Sequence, residues 1–461
     1  MNHFSRNLNA DELRAFDSRH HLHPFTDHKS LDGEGGVRII THAEGCWLWD
    51  SAGEKLLDAM SGLWCVNVGY GQKSLAEVAY RQMQELPYYN TFFKTSHVPA
   101  IELAEKLSSL LPERFKKIFF VNSGSEANDT IVRMVRHYYN LRGMPQKKAF
   151  IGRRNAYHGS TMASASLGGM SAMHAQGDLP LPGFHHVLQP HWFDFGGDLS
   201  PEEFGLKAAR AVEDKILELG PENVAAFIGE PIQGAAGVII PPSTYWPEIN
   251  RICRKYDILL IADEVICGFG RTGEWFGFET FGIEPDIVPM AKGLSSGYMP
   301  IGAVAVCDKV ADFLYEHGGE FFHGYTYSGH PVACAVAVEN LRLLDEGGLV
   351  KRAQALAPYF REKLMTLADH PIIGEVRAVG LIGAFELCRN KKTRERFDNL
   401  GRVGLICRDH CFHGGLVMRS CFDTMVVAPP FVITEGEIDQ MVDLARRAFD
   451  QTYQDVAAEI R

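Results

Sequence analysis

The sequence predicts an α/β protein built around a mainly parallel sheet. Short runs recur through the middle of the chain: Ile118-Phe119-Phe120-Val121, Ala225-Ala226-Phe227-Ile228-Gly229, Ile258-Leu259-Leu260-Ile261-Ala262 and Ile287-Val288-Pro289-Met290. They are apolar throughout rather than alternating, the pattern of strands covered on both faces. Helix-like segments lie between them. After the first run, Ile131, Met134, Val135 and Tyr138 fall on one helical face. Strands alternating with helices give a parallel sheet sandwiched by helices.

The last third changes character. Residues 376–387 and 425–433 read as strands of a separate sheet. Thr434 and Glu437 form a capping box, which opens a final helix with Ile438, Met441, Val442, Ala445 and Phe449 inward. Near the start, Cys46-Trp47-Leu48-Trp49-Asp50 reads as short strands and a turn. With 461 residues the chain has room for two or three domains. The expected division is an N-terminal segment, 1–60, that contributes to a small domain, a large domain over 61–331, and the rest of the small domain over 332–461.

Composition narrows the function. The chain is 46% hydrophobic and 22% charged, ordinary for a globular protein. A net charge of -11 argues against nucleic-acid binding, which needs a basic surface. Residues 1–7 lack the apolar stretch of a signal peptide. No apolar run approaches the roughly 20 residues of a membrane helix. Ten cysteines are scattered without a framework, which points to reduced thiols in the cytoplasm. The cluster Cys407-Arg408-Asp409-His410-Cys411-Phe412-His413 has ligand types that bind zinc. Leu405, Ile406, Cys407, Cys411 and Phe412 also fit an apolar helix face ending at Gly414-Gly415. The helix is the reading adopted, and no metal is expected. The histidine-rich start, His20-His21-Leu22-His23, has no assigned role.

Chemistry enters at two strand ends. Lys292 closes the run that begins at Ile287, and Asp263 closes the run that begins at Ile258. Open α/β sheets place ligands at the carboxyl ends of their strands. An amine and a carboxylate there suit pyridoxal 5'-phosphate: the lysine carries it as a Schiff base, and the aspartate keeps its ring nitrogen protonated. Taken singly, the lysine also reads as a solvated strand end and the aspartate as a helix N-cap. Three further motifs accompany them. Asn122-Ser123-Gly124-Ser125-Glu126-Ala127 follows a strand and opens a helix, a natural anion site to which Ser125 adds a hydroxyl. Ala156-Tyr157-His158-Gly159-Ser160 offers an aromatic face to a flat ring. Glu230-Pro231-Ile232-Gln233-Gly234 puts a third acid at the sheet edge. Alone, these also read as an N-cap, a surface turn and a solvated carboxylate.

Taken with Asp263-Glu264-Val265, Gly268-Phe269-Gly270-Arg271-Thr272-Gly273 and Ala291-Lys292-Gly293, the set resembles the class III pyridoxal-phosphate aminotransferases, in the family's order and over nearly the whole chain. His21-Leu22-His23-Pro24-Phe25-Thr26 and Gly62-Leu63-Trp64-Cys65-Val66-Asn67 are similar to bacterial ω-amino acid or amine:pyruvate transaminases. The resemblance implies the fold-type-I architecture, a large domain with a mainly parallel sheet plus a smaller α+β domain. It also implies a homodimer with active sites at the interface. Lys292 and Asp263 are the implied catalytic pair. Gly124 and Ser125 would hold the phosphate and Tyr157 would stack on the ring, with His158, Glu230 and Val265 completing the cofactor site. Tyr325 and Thr326 would reach the phosphate from the other subunit. Phe25, Leu63, Trp64, Tyr89 and Tyr157 would line the substrate pocket, and Arg419 would clamp a carboxylate.

Two departures bear on the acceptor. Many 2-oxoglutarate-using relatives carry Arg where this chain has Ser160, and Glu where it has Ala235. Without that arginine a second carboxylate loses a bidentate partner. Without that glutamate Arg419 is freer to swing aside for an apolar amine. The expected reaction therefore moves an amino group from an amine or ω-amino acid to pyruvate, giving alanine and an aldehyde or ketone. Use of 2-oxoglutarate, an aminomutase and a decarboxylase stay open on these motifs. So do the donor (β-alanine, taurine, a diamine or an arylalkylamine), the stereochemical hand, for which the resemblance suggests (S), and dimer versus tetramer.

Two motifs point elsewhere. Gly268-Phe269-Gly270-Arg271-Thr272-Gly273 matches a dinucleotide fingerprint, but the strand ends too early and Glu274-Trp275-Phe276-Gly277 does not read as a helix start. Gly293-Leu294-Ser295-Ser296-Gly297 matches a nucleophile elbow of a serine hydrolase, but Tyr298-Met299-Pro300-Ile301-Gly302 is a poor helix to follow it.

Overall fold

Seven strands form the central sheet of the computed structural model, which describes residues 9–461. Residues 1–7, read above for a signal peptide, lie outside the described residues. In spatial order the strands are Lys117–Val121, Gly302–Val306, Ile287–Met290, Leu259–Ala262, Val224–Gly229, Ala149–Arg153 and Phe184–Val187. Only Gly302–Val306 runs antiparallel to its neighbours. Every residue of the five strands between the two edges is buried, which is why their sequences are apolar without alternation. The helix Gly124–Leu141 packs on this sheet and buries Ile131, Met134, Val135 and Tyr138. Helix Pro331–Asp345 packs on helices Lys73–Glu85 and Val98–Leu110.

A second sheet, antiparallel throughout, takes Ile373–Val379, Ile382–Leu387, Thr424–Val427 and Arg419–Cys421 in that order. Two of its strands differ from the sequence reading. The run 376–387 is a hairpin, reversed at Gly380, whose φ of 57° and closeness to the Arg271 carbonyl leave no room for a side chain. The run from Met425 leaves the sheet after Val427, because Pro429 and Pro430 cannot donate to a ladder.

A third sheet joins the two ends of the chain. Ile40–Glu44, Trp47–Asp50 and Lys55–Asp58 form a meander, and Leu416–Val417 pairs parallel to the last of these through Leu57 and Asp58. The final helix, Glu435–Val456, opens with the expected capping box and buries Ile438, Met441, Val442, Ala445 and Phe449. Helix Arg402–His413 turns Cys407 and Cys411 inward, while His410 pairs with Asp455 at 2.7 Å and His413 is exposed. Its cysteines and histidines therefore point apart. Among the described residues no helix is long and apolar enough to cross a membrane.

Candidate active site

The loops after five strands of the central sheet, Lys117–Val121, Ala149–Arg153, Val224–Gly229, Leu259–Ala262 and Ile287–Met290, enclose a cavity of about 360 Å³. Gly124, Ser125, Tyr157 and His158 line it on one side. Glu230, Asp263, Val265 and Lys292 line it on the other.

One end of this cavity is built for an anion. Ser123 caps the helix Gly124–Leu141, its hydroxyl accepting from the Glu126 amide at 3.2 Å. The first-turn amides of Gly124 and Ser125 have no intrahelical acceptor and face outward along the helix axis. Glu126 would place a carboxylate nearby, but its Oε2 is turned back onto the amide and side chain of Asn122, at 2.7 and 2.8 Å. Gly159, with φ 140°, brings the Tyr157 loop against this helix start, where a side chain would lie 2.7 Å from Ser125 Cα. The Ser160 amide then donates to Ser125 Oγ at 3.0 Å, and the Tyr157 and Ser160 hydroxyls meet at 2.9 Å.

The other end is organised around Asp263, which is 3% exposed. Its Oδ1 accepts from the Val265 amide at 3.1 Å. Its Oδ2 lies 2.7 Å from His158 Nδ1 and accepts from Asn128 Nδ2 at 3.0 Å. The same Asn128 amide group donates to the His158 carbonyl at 2.7 Å, so one side chain holds both members of the pair. Asn128 was not singled out from the sequence. Its signal was available: it is a polar residue on the buried stripe that continues through Ile131 and Val135. Glu230 accepts from the Gly234 amide at 2.8 Å through Oε2. Burial pushes its carboxyl upward, against the pull of His158 and Arg153. Glu230 Oε1 and His158 Nε2 are buried without a protein partner.

Lys292 opens a short 3₁₀ turn with φ 43°, a left-handed conformation rare outside glycine. Asn340 Nδ2 holds that turn by donating to the Gly293 and Leu294 carbonyls, both at 2.9 Å. The Lys292 amine lies 5.3 Å from the centre of the Trp64 ring. Burial lowers its proton affinity; Cys65, Asp263 and Glu230 oppose that shift, and Arg419 adds to it.

Trp64 is buried, with φ 57°, in a segment where Ser61 and Gly62 also have positive φ. The turn is tied down by the Gly62 amide on Asp58 Oδ2 at 2.7 Å and by the Ser61 hydroxyl on the Ala428 carbonyl at 2.7 Å. Arg419 sits on the edge strand of the second sheet with its guanidinium 4.7 Å from the Trp64 ring centre. Phe25 is exposed and meets Tyr157 edge-on at 6.5 Å. Leu63 and Tyr89 are exposed and stand outside the cavity wall. So do Tyr325, whose hydroxyl reaches the Glu126 carbonyl at 3.3 Å, and Thr326, whose carbonyl accepts from Tyr88 at 2.7 Å.

The two decoy motifs have structural jobs. Arg271 is fully buried and donates to Leu381, Pro429, Ser61 and Asn67. Its glycine loop thus ties a loop of the central sheet to segments that leave both of the smaller sheets. A short helix, Gly277–Phe281, does follow, contrary to the sequence reading, because Glu264 accepts from the Gly277 and Phe278 amides at 2.8 and 2.6 Å. Ser295 spends its hydroxyl on the Met299 carbonyl at 2.5 Å, and no helix starts after it.

The aminotransferase class-III family profile matches residues 32–449. A putrescine–pyruvate aminotransferase of Pseudomonas aeruginosa is 58% identical over 98% of this chain and 99% of its own. A mitochondrial γ-aminobutyrate transaminase of Solanum lycopersicum is 43% identical over 96% of this chain and 87% of its own. The solved structure of an ω-transaminase from Pseudomonas jessenii in complex with PMP superposes with a TM-score of 0.94 at 45% identity, covering 96% of this chain and 99% of that one. The chain belongs to the class III aminotransferases, with their fold-type-I architecture. Its cofactor is pyridoxal 5'-phosphate. The cavity fits that group: it offers unpaired helix amides for a phosphate, an organised carboxylate for a ring nitrogen, a primary amine, and orphaned polar atoms on Glu230 and His158.

Proposed function

We propose that this class III aminotransferase moves the amino group of a primary amine, foremost an aliphatic diamine of the putrescine class, to pyruvate. The relative at 58% identity is named for that donor and acceptor. The observation that carries the acceptor is the arginine placement. No arginine is among the described residues that line the cavity, and position 160 is a serine already engaged with Tyr157 and Ser125. Arg419, stacked on Trp64, is left as the one carboxylate clamp this reading uses. A monocarboxylate such as pyruvate suits one clamp, whereas a dicarboxylate needs two.

When bound, the cofactor acts as an electron sink for the carbon that carries the amino group. The remaining work falls to side chains. Gly124 and Ser125 amides anchor the phosphate at the helix start. Tyr157 supplies a flat wall, and His158, Glu230 and Val265 complete the cradle. Asp263 holds a proton on the ring nitrogen, and Asn128 with His158 keeps its carboxylate aimed. Lys292 Nζ, whose burial favours the neutral amine, would take the proton from the carbon bearing the amine and return it to the cofactor carbon on the far side of the nitrogen. Trp64, Leu63, Phe25 and Tyr89 shape the approach for the donor.

The working unit in this reading is a homodimer. Leu63, Tyr88, Tyr89, Phe93 and Phe322 are large, apolar and exposed, the kind of surface a second copy would cover. Tyr325 and Thr326 from that copy would then complete the phosphate end. Ten free cysteines support a cytoplasmic location.

The test is the visible absorption of the purified protein. A yellow band that fades with putrescine and returns with pyruvate supports both halves of the reading. A band that putrescine leaves unchanged overturns the donor. One that 2-oxoglutarate restores and pyruvate does not overturns the acceptor.

A further inference from the structure

The histidine-rich start of the chain forms a cluster outside the cofactor cavity. Asp17 lies in the last turn of helix Ala10–His20, and His21 follows that helix one turn later on the same side. The chain then becomes extended at His21 and brings His23 back against Asp17. His21 Nδ1 is 3.1 Å from Asp17 Oδ1, and His23 Nε2 is 2.7 Å from Asp17 Oδ2. The two imidazole rings stand 4.0 Å apart, tilted by 48°. One ligand atom from each of the three residues lies within 4.8 Å of the others. The turn itself is held from the other side, where the His23 amide donates to His28 Nε2 at 2.8 Å.

We propose that Asp17, His21 and His23 form a site for a divalent transition-metal ion of the zinc–nickel class. Two imidazoles and a carboxylate are a ligand set these borderline ions favour. Bond lengths of about 2.0–2.2 Å put tetrahedral ligand atoms roughly 3.4 Å apart, so small side-chain rotations bring these three into range. His21 is more than half exposed, which leaves a path for the ion and room for solvent in the open coordination position. The present contacts explain the choice of ligands over a structural ion pair. Asp17 is shared between two histidines that both crowd the same carboxylate, and a cation between them would replace two hydrogen bonds with three ligand bonds.

The site has a mechanical consequence. His23 is two residues before Phe25, which has φ 51° and meets Tyr157 edge-on. An ion tying His23 to the helix would pin the segment that carries Phe25 to the cavity mouth. The helix buries no residue of its own, and its other side-chain ties are Arg14 on the Val37 carbonyl and Ser18 on Asp32.

The experiment is isothermal titration of the untagged, cofactor-loaded enzyme with zinc chloride, repeated with nickel chloride. The comparison proteins are H21A/H23A and, as a control on the other histidine–carboxylate cluster, E375Q. The expected result is saturable binding to the parent protein and to E375Q, weakened at least about tenfold in H21A/H23A. Zinc is also expected to slow proteolytic cleavage near residue 22 in the parent and not in the double variant. Equal affinity in the parent and H21A/H23A, or no saturable heat with either ion, overturns the proposal. All three substituted positions lie on partly exposed or exposed side chains, and unchanged circular dichroism and cofactor absorbance check that each variant is folded.

Discussion

The guanidinium of Arg419 rests on the indole of Trp64, 4.7 Å from the ring centre. Trp64 follows a strand of the third sheet and Arg419 lies on the edge strand of the second, 355 positions apart in sequence, and the Lys292 amine lies 5.3 Å from the same ring. Trp64 thus has two cations close to one ring. Cation–π attraction at a partly desolvated site is worth about 0.5–2 kcal/mol, enough to park an arginine and little enough to release it to a carboxylate.

Arg419→Gln follows from that arrangement. Removing a charge-assisted hydrogen bond to the acceptor costs about 1.5–3 kcal/mol, or about 10- to 150-fold in the KM for pyruvate. The amine half of the cycle should change little. Separate half-reaction kinetics by stopped-flow absorbance measure both; equal losses in the two halves would count against a carboxylate-clamp role.

Lys292→Ala should fold, retain the cavity and lose turnover by more than about 10⁴-fold, the upper end of what a general base contributes. Steady-state assay with an amine donor and pyruvate reads the loss. Full activity would remove Lys292 from the mechanism.

Asn128→Ala tests the residue the sequence reading passed over. It strips a donor from Asp263 Oδ2 and from the His158 carbonyl in a buried setting. The expected cost is about 1–3 kcal/mol in stability, with kcat reduced about tenfold and the KM for either substrate nearly unchanged. Thermal unfolding and steady-state kinetics report the two effects, and a variant equal to the parent in kcat would make Asn128 purely structural.

Glu264, next to Asp263, gives a pH signature. Burial pushes its carboxyl from 4.5 up to about 8, against the two backbone amides it caps. Between those values the folded chain binds a proton that the unfolded chain does not. The contribution to stability is therefore fully present below pH 4.5 and is lost as pH rises toward 8. Glu264→Gln removes the titration, so Tm plotted against pH should fall less steeply through that window than in the parent. Identical slopes would show that Glu264 does not titrate there.

Much of the fold was legible because strand burial leaves a direct mark on composition. The five inner strands of the central sheet are buried at every position, and three of them, with the edge strand Lys117–Val121, are legible as continuous apolar runs. Ala149–Arg153, Phe184–Val187 and the antiparallel Gly302–Val306 are not; the last is short, and its direction depends on the chain's return path. Prolines ended the strand expected up to Ile433, a local effect that outweighed its apolar content.

The sequence by itself determined the α/β core, the capped helix starts, and the placing of Lys292 and Asp263 just past strand ends, because each depends on residues within a few positions of one another. Only the tertiary structure decided that Asn128 and His158 share Asp263, that Leu416–Val417 pairs with Lys55–Asp58, and that Arg419 lies on Trp64. These contacts join residues up to several hundred positions apart. They follow from how the sheets pack and the chain closes on itself, and neither periodicity nor local chemistry encodes that.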